Sequence, residues 1–278
     1  PELRAAARAT RRIGLGVMGF AEAPFQLGLP YDSAEACSLG GQIMRLIGAE
    51  ARSASGLLAE QRGSFPAYRG SKYERGGMPM RNSHRTSLAP TGALSILAGC
   101  SPGIEPVYAL AFQRRISAAP GAPPLLVSEV DPAFERAARE AGVWSESLLQ
   151  GLLAAGAAPA AAGLPAALRE VFVTAREVAP RWHLSMQAAF QEHTDAAIAK
   201  TILLPASAGP EQVRQVFDLA AHSSVIGLTC YRDGSRSEQP LSSPGSEPVP
   251  SELPGVMPSL RVREETAVGV LALEVACD

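Results

Sequence analysis

The chain has 278 residues, 46% of them hydrophobic, with 25 basic and 27 acidic side chains. That composition excludes a disordered chain and fits a packed body of one large or two modest domains. The near-neutral charge argues against an extended nucleic-acid surface, but a small anionic ligand needs only a local site. Cys37, Cys100, Cys230 and Cys277 lie far apart with no Cys-x-x-Cys pair, so neither a disulfide framework nor a metal site is expected. There is no signal peptide and no long apolar run, so a reducing cytoplasm without a membrane partner is the expected setting. The start, Pro1-Glu2-Leu3-Arg4, has no initiator Met, and a processed, trimmed or excised chain is expected.

In chain order, residues 4–12 are Ala/Arg-rich and helical in character, and a glycine-punctuated apolar stretch follows at 13–20. Asp32 and Glu35 have capping-box spacing and predict a helix start, with apolar residues at helical spacing from Ala36 to Leu58. Glycines and Pro66 over 63–77 mark a long loop. Residues 86–89 predict a short strand, Pro90-Thr91-Gly92 a turn, and 93–98 a short helix that Gly99 can end. An apolar, aromatic run at 107–112 suits a buried strand. Asp131-Pro132 is a strong helix start, with Gly142 just past its end. Residues 151–168 are Ala/Gly/Pro-rich helix and loop without evident chemistry. Two amphipathic helices are predicted over 184–200 and 210–222. A Ser/Pro/Glu-rich linker follows, then partial period-two patterning near 260–262 and 271–275, which suggests a hairpin. Short strands between longer helices indicate an α/β body.

The stretch with most chemical content is Ala89-Pro90-Thr91-Gly92-Ala93-Leu94-Ser95. A short strand ends in Pro-Thr-Gly and a helix begins at once. The first turn of a helix leaves backbone N–H groups unpaired, and its dipole favours an anion. Gly92 permits close approach to the backbone, and Thr91 and Ser95 supply hydroxyls. Local physics allows two readings: a phosphate cradle, or an ordinary strand-turn-helix with Thr91 as N-cap.

Residues 89–96, followed by Ala98-Gly99-Cys100-Ser101-Pro102-Gly103-Ile104-Glu105-Pro106, resemble the signature of the adenosylcobalamin-dependent (class II) ribonucleotide reductases. Further blocks match in order: RRIGLGVMGF at 11–20, LPYDS at 29–33, EQRG at 60–63, WHL at 182–184, MQAAFQ at 186–191, KTI at 200–202 and YRDGSR at 231–236. The resemblance implies the C-terminal portion of a ten-stranded α/β barrel over 1–236, a linker over 237–258 and the start of a small β module over 259–278. It also implies a ribonucleotide substrate, as di- or triphosphate, whose phosphate is held by Ala89, Pro90, Thr91, Gly92, Ala93, Leu94 and Ser95. The implied cofactor is adenosylcobalamin, with no contacts assignable here. Ala93 departs from the family, which usually has a hydroxyl residue there. A lost charge-assisted hydrogen bond to phosphate would cost about 1.5–3 kcal/mol.

The family's radical cysteine sits in an Asn-x-Cys-x-Glu motif. Asn82 is the only Asn in the chain and is followed two positions later by His84, so the motif is absent from this sequence. Catalytic residues are therefore expected elsewhere, on an N-terminal reductase segment or subunit. The alternative is a non-catalytic nucleotide-binding or degenerate relative. A third reading starts from Gly14-x-Gly16-x-x-Gly19, the dinucleotide-binding pattern of a Rossmann oxidoreductase. It is disfavoured by the preceding Ala-Thr-Arg-Arg and is better explained by a tight backbone approach. Cys100 and Cys230 suit buried packing roles. His183 and His193 are not at ligand spacing. Glu105 suits a structural acceptor, and Arg114-Arg115 could face phosphate or solvent.

Overall fold

The structure is a computed structural model and describes residues 2–116, 125–155, 164–235, 259–266 and 269–276. Helix α1 (Glu2–Thr10) is the expected Ala/Arg-rich helix. It leads through Arg11 (φ 49°) into an extended segment at 13–16. A short α2 (Glu22–Gln26) precedes α3 (Ala34–Arg62), a single rod of 29 residues. The expected Asp32/Glu35 capping pair does not form. Ser33 is the cap instead: its backbone is extended and its hydroxyl accepts the Ala36 amide at 3.1 Å, which places the helix start one residue later. The predicted loop at 63–77 contains a single 3-10 turn at Pro66–Tyr68 and the short α4 (Lys72–Arg75). It closes over a small cluster of Phe65, Tyr73 and Met80.

Helix α5 (Gly92–Ala98) ends at Gly99, whose φ of 64° supplies the left-handed cap that glycine adopts readily. The strand expected over 107–112 is shifted. Residues 107–110 are irregular, with Val107, Ala109 and Leu110 buried, and β1 (Ala111–Ile116) begins at the far end, paired antiparallel with β2 (Leu125–Val130). The Val107 carbonyl accepts the Ala175 amide instead of a ladder partner. Helix α6 (Pro132–Glu140) starts as predicted, with the Asp131 carboxylate on the Phe134 amide at 2.8 Å. Helices α7 (Glu146–Ala155), α8 (Ala166–Val171) and α9 (Pro180–Gln191) follow. Then come β3 (Thr201–Leu204), α10 (Pro210–Ala221) and β4 (Thr229–Arg232). The expected C-terminal hairpin is present as β5 (Ser259–Thr266) and β6 (Gly269–Ala276), antiparallel in register from Ser259–Ala276 to Thr266–Gly269. The linker assigned to 237–258 lies outside the described residues.

The helix expected over 184–200 stops at Gln191. The Thr194 hydroxyl donates to the Phe190 carbonyl (2.7 Å) and the Gln191 side-chain Nε2 donates to the Ala196 carbonyl (3.0 Å), satisfying groups that a continuing helix would have bonded. Residues 196–199 are thereby free to pair as strand. They do so in parallel with 86–88: Ala196 donates to the Thr86 carbonyl, Ala199 to the Leu88 carbonyl, and Leu88 bridges Ile198. On its other side the same segment meets 13–16, with Leu15 bridging Thr86. The strand expected at 86–89 is thus a pair of parallel bridges rather than a long ladder. With β3 and β4 paired in parallel from Thr201–Thr229 to Leu204–Arg232, four segments lie side by side: 13–16, 84–88, 196–204 and 229–232. This α/β array is open. Among the described residues, 13–16 and β4 each pair with a neighbour on one side only. No helix among them is long and apolar enough to cross a membrane.

The main core gathers Phe20, Phe25, Tyr31, Met44, Phe134, Phe172, Met186 and Phe190 from α2, α3, α6 and α9 and their flanks. A second cluster fills the space between α9, β3, α10 and β4. The α3–α9 contact depends on Gly40, where a β-carbon would run into the Phe190 ring. Phe190 is fully buried and packed edge-on against Phe20. Gly40→Ala should therefore destabilise the chain by about 1–3 kcal/mol, despite a helix-propensity gain of about 1 kcal/mol. The midpoint of urea unfolding measures the difference.

Candidate functional site

Segment 84–88 delivers the loop. The segment is held by the Asp195 carboxylate, which accepts the Arg85 amide (2.8 Å) and the Arg85 guanidinium (2.5 Å), while the Asp195 amide donates to the Thr86 hydroxyl (2.8 Å). The Arg85 side chain is 3% exposed and its guanidinium also lies over the Tyr73 ring. Burial pushes the Asp195 carboxyl up. The bonds from the Arg85 backbone, its cationic head and the Thr86 amide outweigh that and hold it below the usual carboxylate value.

Beyond Leu88, which is buried, Ala89 and Pro90 emerge at the surface. Thr91 then takes a left-handed conformation (φ 50°, ψ 20°), unusual for a β-branched residue. Its hydroxyl does not cap α5; it accepts the Gly103 amide at 2.8 Å. The N-cap role expected for Thr91 is therefore not what its side chain does. The first helical bond runs from the Ser95 amide to the Thr91 carbonyl (2.8 Å). The amides of Gly92, Ala93 and Leu94 lie ahead of it, as the orphan donors of a helix start. All three residues are exposed. Ser95 is buried and its hydroxyl donates back to the Gly92 carbonyl at 2.8 Å. Of the residues at 89–95, Gly92, Ala93 and Leu94 are thus exposed, while both hydroxyls engage the protein.

A buried support lies beneath. The Glu22 carboxylate takes the Ser101 amide (2.5 Å) and hydroxyl (2.6 Å). Glu105 accepts the Thr201 amide (2.5 Å) on one oxygen and the Lys200 ammonium (2.9 Å) on the other. It is the structural acceptor that the sequence indicated. Lys200 Nζ also lies 2.8 Å from His183 Nδ1 and 5.7 Å from the centre of the Tyr31 ring. The Tyr31 hydroxyl donates to the Ile104 carbonyl at 2.6 Å. Burial lowers the Lys200 pKa, and Glu105 opposes that shift. Burial, then the Lys200 charge, drives the His183 imidazole down to about 2, so the ring is neutral and its Nδ1 accepts. Glu22, Arg85 and Asp195 were not legible as site residues, and Tyr31 was visible only inside the 29–33 block. Lys200 and His183 were visible only as members of matching blocks, because their partners are distant in sequence.

The glycine pattern at 14–19 has no strand before it. A β-carbon on Gly14 or Gly16 would strike Ser87, so these glycines permit strand pairing rather than dinucleotide binding. Burial raises the thiol pKa of Cys37 to about 11, with a further contribution from Asp32. It also raises Cys100, aided by Glu22, and Cys230. All three shifts are opposite to those of an activated thiolate. His183 is sealed in the core and His193 is partly exposed, with no shared partner. The side chains of Arg114 and Arg115, and Cys277, lie outside the described residues.

The family model for the ribonucleotide reductase barrel domain matches residues 1–80 and 77–231. The chain belongs to the ribonucleotide reductase family. It is 47% identical over 249 residues to a vitamin B12-dependent ribonucleoside-diphosphate reductase of Mycobacterium tuberculosis, covering 90% of this chain and 35% of that protein. A protein of the same name from Thermoplasma acidophilum is 42% identical over 246 residues, covering 88% of this chain and 31% of the relative. The reductase-family chain therefore spans about a third of the length of these relatives. Its fold is shared with the class Id ribonucleotide reductase alpha subunit of Actinobacillus ureae. That structure has a TM-score of 0.69 at 21% identity and covers 82% of this chain and 40% of its own. The resemblance noted from the 89–106 signature and the ordered blocks is thus correct at the level of the family.

Two outcomes follow from the buried charges. Asp195→Ala strands the Arg85 guanidinium without its carboxylate and should cost about 3–5 kcal/mol in chemical denaturation. His183 titrates near 6.5 when unfolded and near 2 when folded, so the unfolded state gains the proton. The stability it confers is complete above pH ~6.5 and falls by about 1.4 kcal/mol per unit as pH drops. His183→Gln should flatten the fall in urea midpoint between pH 6.5 and 5 relative to the unsubstituted chain.

Proposed function

We propose that this chain is a C-terminal portion of the catalytic barrel of an adenosylcobalamin-dependent ribonucleotide reductase and that residues 89–95 hold the substrate's phosphate. The observation that carries this reading is the exposed first turn of α5. Gly92, Ala93 and Leu94 are exposed, their amides precede the first helical bond, and the left-handed Thr91 before them is tied to the Gly103 amide. An anion there meets unpaired donors and the positive end of the peptide dipoles. The relatives are named for ribonucleoside diphosphates, which favours the diphosphate over the triphosphate. The backbone donors do not depend on a side chain at 93, so Ala93 weakens the cradle without abolishing it.

The radical cysteine of the Asn-x-Cys-x-Glu motif comes from a preceding reductase segment or a separate subunit. The open parallel array supports this, because among the described residues 13–16 pairs on one side only and Ile13, Leu15 and Met18 beside it are exposed. Leu94, Ile96 and Leu97 on α5 add further apolar surface for that partner to cover. Such a partner would complete the ten-stranded barrel. Adenosylcobalamin supplies the radical chemistry when bound, and His183 is not available to hold it. The buried imidazole of His183 has Nδ1 beside Lys200 Nζ and no exposed edge. No reaction step is therefore assigned to the cofactor on this chain. We divide the chain into a reductase body over 1–236, a linker over 237–258 and a partial β module over 259–278. The free thiols of Cys37, Cys100 and Cys230 suit a reducing cytoplasm.

A ribonucleoside diphosphate titrated against the chain by calorimetry tests the site. A β-carbon at Gly92 meets nothing within 4 Å, so Gly92→Asp leaves the fold intact while placing a carboxylate in the anion's position. It should weaken binding at least about 10-fold; equal affinity would reject the site. The non-catalytic reading is favoured by Ala93 alone. It predicts binding but no deoxynucleotide when an N-terminal reductase half and adenosylcobalamin are supplied.

A further inference from the structure

We propose that Lys200, acting through Glu105, is a positioning residue for the phosphate loop. Its buried ammonium fixes the turn whose Gly103 amide holds Thr91 in the left-handed conformation. The proposal rests on the reading of 89–95 as a phosphate site.

Thr91 is the point at which the chain needs outside help. A β-branched residue at φ 50° is held against its own preference. Its side-chain tie is the Gly103 N–H at 2.8 Å. Gly103 is itself at φ 54°, in a turn that could adopt several conformations if left alone. The turn is pinned at both flanks by carboxylates. Glu22 holds Ser101 on one side, and on the other Glu105 spends both oxygens on Lys200 and Thr201. The entry to the loop depends on the same stretch, because the Ala199 amide donates to the Leu88 carbonyl and Leu88 bridges Ile198. Residues 198–201 therefore tether both the strand that leads into the loop and the turn that braces it.

The choice of cation supports a positioning role. Of the 25 basic residues, only Lys72 and Lys200 are lysines; the rest are arginines. At 200 the surroundings require a compact point charge with tetrahedral donors. The ammonium meets Glu105 Oε2 at 2.9 Å, His183 Nδ1 at 2.8 Å and the Tyr31 ring face at 5.7 Å, and its side chain has no solvent exposure. A planar guanidinium would not satisfy these three directions at once. A buried ion pair is weak evidence for stability, since apolar replacements often do as well. What the pair provides is orientation of the Glu105 carboxylate toward the Thr201 amide.

The test is a double-mutant cycle read with inorganic pyrophosphate binding to the whole chain by calorimetry. Lys200→Met with Glu105→Gln replaces the ion pair by neutral groups of similar size, so no buried charge is left alone. The pair should raise the pyrophosphate Kd about 5-fold to 10-fold. Thr91→Val, which removes the acceptor for the Gly103 amide, should do the same. All three changes together should weaken binding no further than either alone, because they break one relay. Thr91→Ser keeps the hydroxyl and should restore sensitivity to the Lys200/Glu105 change. If the pair binds pyrophosphate as tightly as the unsubstituted chain, or if its effect multiplies with that of Thr91→Val, the relay is wrong. If the double variant does not fold, Glu105→Gln alone, which keeps an oxygen for the Thr201 amide, is read in the same cycle. Gly92→Asp separates the two levels. If pyrophosphate binds the unsubstituted and Gly92→Asp chains equally, or binds neither, the phosphate site itself fails. If only Gly92→Asp loses binding, the site stands and the relay falls.

Discussion

The pairing of segment 84–88 with a neighbour on each side is the contact on which the rest of the site depends. It is made by few backbone bonds, so it relies on the groups that force the segments together. Gly14 and Gly16 lack the β-carbons that would push the first neighbour away from Ser87. On the other side, the Asp195 carboxylate and amide bind Arg85 and Thr86 from a position more than a hundred residues further along the chain. Once that staple is set, helix α9 must end at Gln191 and the following residues must run as strand. The loop at 89–95 then leaves the array in a fixed direction.

Among the described residues, two buried ion pairs, Arg85–Asp195 and Lys200–Glu105, each join chain segments that sequence places far apart. Taking such charges out of water is expensive, and the gain over an apolar pair is small. Their common feature is directional: each carboxylate also accepts backbone amides, Arg85 and Thr86 in one case and Thr201 in the other. An apolar core fixes distance but not the rotation of a strand about its axis. Carboxylates that accept named amides fix both, which suits a loop that must leave the array in one orientation.

The outward face of the loop is unlike the core beneath it. Leu94, Ile96 and Leu97 on α5, and Ile13, Leu15 and Met18 at the edge of the array, expose apolar surface that a closed barrel would bury. On the proposed reading these surfaces meet the preceding part of the reductase, in keeping with a chain that spans about a third of its relatives' length. On the same reading, that exposure leaves Gly92, Ala93 and Leu94 accessible to an anion.

Local signals in the sequence determined a good part of this protein. Asp131-Pro132 with Gly142, Gly99 at the end of α5, and the period-two patterning near the C-terminus each specified an element, because cap and turn chemistry acts within a few residues. The ordered blocks and the 89–106 signature determined the family. The absence of Asn-x-Cys-x-Glu from this chain followed from the single Asn82. Tertiary structure decided the rest. Ser33 rather than Asp32 caps α3, since the choice turns on which side chain reaches the Ala36 amide. The helix that apolar spacing extended to residue 200 ends at 191, because strand pairing to 86–88 outweighs local propensity. The Thr91 hydroxyl serves Gly103 and not its own helix, and Glu105 reaches Lys200 across a gap of 95 positions. Contacts of that span leave no periodic trace in sequence, because nothing local depends on them until the chain has folded.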